Sequence, residues 1–204
     1  MPRMIGLFRQ QYPDVSVQLQ VHSTRRTGWS VANGQIDLAI IGGQLPGDLE
    51  NLLQVIPYAT DELALVLPSK HSLSTKKELL KEDLYKLNFV TLDSQSTTRK
   101  VVDKLLQDSR LDIQRLKIEM ELNSLEAIKN AVQSGLGASF LPVVSIEREL
   151  SAGTIHKAFI ADLEVKRELK LITNPSRYTS RASEVFQKNI LPQFASLESP
   201  LRHI

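Results

Sequence analysis

At 204 residues the chain has room for one large domain or two of about a hundred residues each. Apolar residues make up 42% and charged ones 24%, a globular balance, and no apolar run approaches the ~18 residues that a membrane-spanning helix requires. Cysteine is absent, which excludes disulfides, thiolate metal sites and cysteine nucleophiles, and the 25 basic and 23 acidic residues are mixed along the chain for a net charge of +2, so this stretch carries no basic face for nucleic acid.

Taken in chain order, Met1–Gln11 is expected to be a helix, with Ile5, Leu7 and Phe8 apolar, ending near Tyr12-Pro13-Asp14 because the residue before a proline is pushed out of the helical region. The start lacks the layout of a secretory leader, so a cytoplasmic location is expected. Val15, Val17, Leu19 and Val21 alternate with polar residues, the period of a half-buried strand that His22-Ser23-Thr24 would end. Thr27–Asn33 is expected as a short helix closed by Gly34, followed by a buried strand over Ile36–Ile41 that stops at Gly42-Gly43. Helix then strand, twice, predicts parallel βαβ wiring.

Leu63–Leu67 forms another apolar strand, Thr75–Leu87 a charged helical stretch, and Phe89–Leu92 a further strand. Val101, Val102, Leu105 and Leu106 recur at helical spacing within Thr97–Asp108, and Ile118–Leu122 is a strand before Asn123-Ser124 caps a helix running to Ser134. Gly135-Leu136-Gly137 turns the chain into a strand over Ala138–Leu141. A helix over Val143–Leu150, a strand over Leu169–Thr173 and a final helix over Ser180–Leu197, interrupted at Pro192, complete the reading.

Three stretches together resemble the regulatory domain of LysR-type transcriptional regulators: Phe8-Arg-Gln-Gln-Tyr-Pro-Asp-Val15, Ala32-Asn-Gly-Gln-Ile-Asp-Leu-Ala39 and Ala131-Val-Gln-Ser-Gly-Leu-Gly-Ala-Ser-Phe-Leu-Pro142. Within that family, His22-Ser-Thr-Arg-Arg-Thr27, Thr91-Leu-Asp-Ser-Gln-Ser-Thr-Thr-Arg99 and Glu119-Met-Glu-Leu-Asn-Ser-Leu-Glu-Ala-Ile-Lys-Asn130 look like the branch that controls carbon fixation and inorganic-carbon uptake in cyanobacteria and plastids. The resemblance implies an α/β fold of two Rossmann-like lobes joined by two crossover strands, periplasmic-binding-protein-like, with an effector held between the lobes. Lobe I would be 1–60 plus 174–204, lobe II 61–173, and the crossovers Asp61–Pro68 and Arg167–Asn174. The family's N-terminal DNA-binding domain and its first regulatory strand would precede Met1.

The richest polar cluster is Ser94, Gln95, Ser96, Thr97, Thr98 and Arg99, after an apolar strand and before a helix. Such a turn offers unpaired backbone N–H groups and the positive end of a helix dipole, which suit a carboxylate or phosphate; a single capping hydroxyl is the plainer role. Thr24 falls where the family places a threonine facing the effector, at the carboxyl end of a strand, and a solvated turn is its alternative. Asn123 and Ser124 are a second donor pair, Gly42 permits close backbone approach, and Arg177 follows the second crossover; each also has an ordinary structural role.

The four histidines are scattered, and no metal-ligand spacing, nucleophile elbow or phosphate-binding glycine motif is present, so neither catalytic nor metal-binding residues are expected. No cofactor beyond the effector is expected. The effector implied by the resemblance is a small anionic metabolite such as 2-phosphoglycolate, ribulose bisphosphate or 2-oxoglutarate. The partners implied are a homodimer or homotetramer, with operator DNA bound only by the N-terminal domain and no membrane contact. A transporter's solute-binding protein and an enzyme built on the same lobes are the alternatives.

Overall fold

The computed structural model describes residues 2–195, which divide into two units, one made of 2–60 with 168–195 and one of the unbroken stretch 61–167. In chain order the elements are α1 (Pro2–Gln11), α2 (Thr24–Ala32), β1 (Leu38–Ile41), α3 (Gly47–Glu50) and β2 (Gln54–Pro68). Next come β3 (Asn88–Leu92), α4 (Thr97–Asp108), β4 (Lys117–Leu122), α5 (Leu125–Gln133), β5 (Ser139–Pro142), α6 (Glu147–Ser151) and β6 (Ile155–Ala158). The chain then returns through β7 (Lys166–Thr173) to α7 (Arg181–Val185) and α8 (Pro192–Ala195).

In the first unit β1 pairs antiparallel with β7, Leu38 opposite Thr173 and Ile41 opposite Lys170, which draws the chain back into this unit at Glu168, ahead of the expected 174. Side-chain alternation along β1 feeds two cores. Ala39 and Ile41 face Val31, Leu49 and Leu53 of the α2 and α3 layer, whereas Leu38 and Ile40 pack against Phe8 of α1 and against Phe186 and Ile190, which follow α7.

In the second unit β2 pairs antiparallel with β5 and with β6. Leu63, Leu65, Leu67, Phe89 and Phe140 fill the core under α4, and Val66, Val90 and Leu141 fill the one under α5. Among the described residues the parallel wiring expected more widely is a ladder of β3 with β4, linked by α4, and an isolated parallel bridge from Phe89 to Ala138. The β1–β7, β2–β5 and β2–β6 ladders are antiparallel, each strand pairing with one that returns from a distant part of the chain.

Several local expectations change. Val15–Val21 belongs to no ladder among the described residues: Val15 and Val17 pack into the first unit's core, while Leu19 is 47% and Val21 85% exposed. Alternation reports which side chains face the core and is silent about a partner strand. α2 begins at Thr24, not Thr27, because Ser23 caps it by accepting from the Arg26 N–H. The expected helix over Thr75–Leu87 is instead two 3-10 turns, Ser72–Thr75 and Lys81–Lys86, the second held by buried Asp83 accepting from the Leu80 N–H at 3.1 Å. Val143–Leu150 splits into a 3-10 turn and α6.

The last helix widens into a π turn over Phe186–Ile190, the Leu191 N–H reaching Phe186 O, just before Pro192. A proline ring presses on the carbonyl four residues upstream, which this wider turn relieves. The expected continuation to Leu197 lies outside the described residues.

Candidate functional site

Two strand-to-helix turns meet in the second unit. β3 and β4 run parallel, Leu92 opposite Leu122, and the Asp93 N–H donates to Leu122 O at 3.0 Å, so the turn into α4 and the turn into α5 lie side by side. The turn that holds Ser94, Gln95 and Ser96 thereby starts beside the one that holds Asn123 and Ser124, at the carboxyl ends of parallel strands, where ligands of open α/β sheets sit. Asp93 shapes the first turn: its carboxylate accepts from the Gln95 N–H and its carbonyl from the Ser96 N–H, each at 2.9 Å.

Ser96 and Ser124 are the N-caps of α4 and α5, yet neither side chain makes the capping bond, whereas Ser180 does so at 3.1 Å ahead of α7. The plain capping role is therefore not the one these two hydroxyls perform. The first turn of α4 carries no acidic residue, and Glu126 in the first turn of α5 is paired with Lys129 at 2.7 Å. Unpaired N–H groups, two helix dipoles and uncommitted hydroxyls make a seat suited to an anion.

Arg99 does not point into that seat. Its Nε donates to both Asp103 oxygens at 2.8 Å, and its Nη1 to Thr91 Oγ1 at 2.6 Å, Leu92 O at 3.3 Å and Glu121 Oε1 at 3.4 Å, so the guanidinium ties α4 to β3 and β4. Thr97 starts α4 and is itself engaged. The Thr98 hydroxyl accepts from Arg167 Nη1 at 2.7 Å, and Arg167 also donates through Nε and Nη2 to Asp61 Oδ2 at 2.8 and 2.6 Å.

Sequence reasoning did not single out Asp61 and Arg167. The available signal was two opposite charges at the first positions of the two crossover segments. Beneath α4 a cavity of about 30 Å³ is bordered on its polar side by Thr91, Thr98, Arg99, Asp103 and Ser139. It has room for roughly one water molecule, so an organic acid does not fit inside it.

In the first unit the candidates are spread out. Thr24 is buried at the start of α2, and Gly42 follows the carboxyl end of β1. The exposed Arg177 lies over Gly34, whose φ is +71°, at the other end of the nine-residue α2. There the Asn174 amide also donates to Ala32 O at 2.8 Å, so Arg177 adds a cation to a helix C-terminus. Thr24 and Arg177 are thus separated by roughly 12 Å of helix rise. Among the described residues no group of three His, Cys, Asp or Glu is placed to hold a metal, and no helix is long and apolar enough to cross a membrane.

The model of the LysR substrate binding domain matches residues 1–195. A probable RuBisCO transcriptional regulator of Synechocystis sp. is 62% identical over 96% of this chain and 57% of its own length. One from Porphyra purpurea is 59% identical over 96% of this chain and 62% of its own length, so the chain spans about three fifths of these relatives. Among solved structures, the regulatory domain of Synechocystis CcmR in complex with 2-PG superposes with a TM-score of 0.83 at 24% identity, covering 96% of this chain and 91% of that one. The effector binding domain of QuiR in complex with shikimate gives 0.78 at 19% identity, covering 97% and 90%. At these identities the two structures establish a shared α/β, periplasmic-binding-protein-like fold.

Proposed function

The chain belongs to the LysR substrate-binding domain family, and from that premise we propose that it is the effector-sensing module of a transcriptional regulator of carbon metabolism. It seats a small phosphorylated or carboxylated acid at the paired turns of the second unit. The observation that carries this reading is that Ser96 and Ser124, the N-caps of the helices that follow two paired parallel strands, both leave their hydroxyls out of the cap. The relatives named as regulators favour it over a transporter's solute-binding protein.

2-Phosphoglycolate is the first effector to try, since it is the 2-PG of the CcmR complex; ribulose bisphosphate and 2-oxoglutarate share its chemistry. The module works in the cytoplasm as a homo-oligomer, with DNA read by a part of the protein beyond this chain. The effector acts by its differential affinity for two states, typically ~1–3 kcal/mol of coupling, and is released unaltered.

Titration with 2-phosphoglycolate is expected to raise the unfolding temperature; at a hundredfold excess over Kd the stabilisation is ~2.7 kcal/mol. No shift with any of the three acids at millimolar concentration overturns the reading, and a product signal in the NMR spectrum of the mixture would make the chain an enzyme. The double variant Ser96→Ala, Ser124→Ala is expected to bind 2-phosphoglycolate about thirtyfold more weakly with an unchanged urea midpoint, each of the two lost hydrogen bonds being worth ~1 kcal/mol. Unchanged affinity together with the ~1 kcal/mol stability loss of a missing cap would return both hydroxyls to a structural role.

A further inference from the structure

Arg167 makes a three-way contact that the anion seat alone does not explain. Its side chain is 15% exposed and its partner Asp61 only 6%, so the pair is held largely away from water, where hydrogen bonds to charged groups are strong. Asp61 is the residue at which the chain enters the second unit and Arg167 the one at which it leaves. The third contact, Thr98, is two residues past the N-cap of α4. Its backbone N–H is among those the helix leaves without an intrahelical partner, while its hydroxyl is held by the guanidinium. One residue thus offers an amide to the seat and a side chain to the chain's two crossing points.

We propose that Arg167 is a positioning residue for the anion seat, holding the first turn of α4 through Thr98 and linking occupancy of the seat to the Asp61 and Arg167 crossings. Resting on the sensor reading above, the proposal names the part of the molecule through which the bound anion is registered. An anion drawn onto the first turn of α4 moves Thr98 as it tightens that turn. The guanidinium, committed to Asp61 by two bonds and to Thr98 by one, carries the displacement to both chain crossings. Lysine keeps the charge but cannot hold both partners in a planar fork.

The test is titration of the whole chain with 2-phosphoglycolate, with inorganic phosphate as a second probe, for the unaltered protein and for Thr98→Val, Thr98→Ser, Arg167→Lys and the double variant Arg167→Lys, Thr98→Val. Thr98→Val and Arg167→Lys are each expected to weaken 2-phosphoglycolate binding about tenfold. Thr98→Ser is expected to restore it, and the double variant to be no weaker than either single one, because the two residues act through one bond.

Affinities within twofold of the unaltered chain, losses that multiply in the double variant, or failure of serine to rescue each overturn the proposal while leaving the sensor reading intact. No binding by the unaltered chain overturns both. Thr98→Val removes one methyl-sized polar contact and leaves the Asp61–Arg167 pair in place, so its result decides the matter even where Arg167→Lys unfolds.

Discussion

Gly137→Ala is expected to destabilise the protein by about 3 kcal/mol, at the upper end of what overpacking a tight site costs. A Cβ on Gly137 would lie 2.6 Å from Asn88 O, 3.1 Å from Asn88 C and 3.3 Å from Val90 Cγ2. The first two atoms are backbone, and they cannot retreat without loss. Asn88 O accepts the Ala138 N–H at 2.7 Å, and the Val90 N–H donates to Ala138 O at 2.9 Å, so moving Asn88 breaks the bridge that joins β3 to the start of β5. The measurement is urea unfolding: the midpoint falls with an unchanged slope. A loss below ~0.5 kcal/mol, the usual scale of a surface substitution, would mean that the two backbones part easily.

Lys129→Met is expected to cost a similar amount at pH 7, about 3 kcal/mol, because it strands a carboxylate. Lys129 is 7% exposed and donates to Glu149 Oε1 at 2.9 Å and to Ser145 O at 3.2 Å. Glu149 Oε2 is buried and has no hydrogen-bond partner of its own, so the charge leans chiefly on this lysine, with its own backbone N–H and Arg148 as lesser supports. The lysine's hydrogen bond holds the Glu149 carboxyl below the usual carboxylate range against the opposing pull of burial. Burial pulls the Lys129 ammonium down, but Glu126 and Glu149 outweigh it and hold the group above its usual value.

A depressed carboxylate contributes stability above its ordinary pKa and loses it as pH falls through the folded value. A raised ammonium contributes below its ordinary pKa and loses it as pH rises through the folded value. The pair therefore stabilises the fold between the ordinary carboxylate and lysine ranges. In Lys129→Met the isolated Glu149 is raised instead, so the deficit should narrow as pH is lowered from 7 to 5. Urea unfolding at both values checks this, and an equal deficit at the two would mean that Glu149 had found water. Adding Glu149→Gln is expected to recover part of the loss.

What the sequence disclosed follows from what periodicity can encode. α4 matches its predicted span, Thr97–Asp108, because its apolar residues keep helical spacing and all face one core. The strands at Leu63–Leu67 and Phe89–Leu92 were legible as short unbroken apolar runs, because their alternating side chains enter two cores, one on each face. β6 was missed because only its ends, Ile155 and Ala158, are buried, and its His-Lys centre pairs at the edge of β2. The first part of β2, Gln54–Thr60, is mostly exposed and gave no apolar run.

The hydroxyl cluster at 94–98 was visible as composition, and its neighbour Asn123-Ser124 as a helix start. Their adjacency rests on the parallel register of β3 and β4, which spacing does not contain. The direction of Arg99 was equally hidden, since any arginine after a turn is compatible with facing solvent, a ligand or its own helix. Here Asp103, one turn along α4, captures it at 2.8 Å. The Asp61–Arg167 pair joins residues 106 apart in sequence, beyond the reach of any local pattern.

That separation bears on how the molecule is made. The second unit is one uninterrupted stretch of chain, whereas the first needs strand β7 and the helices after it beside β1. During synthesis the second unit has all of its sequence while the first still lacks a strand, so the inserted unit folds first and the other is completed afterwards. Pulse-labelled nascent chains halted soon after Arg167 clears the ribosome should already protect the amides of β3 and β5, while those of β1 exchange freely.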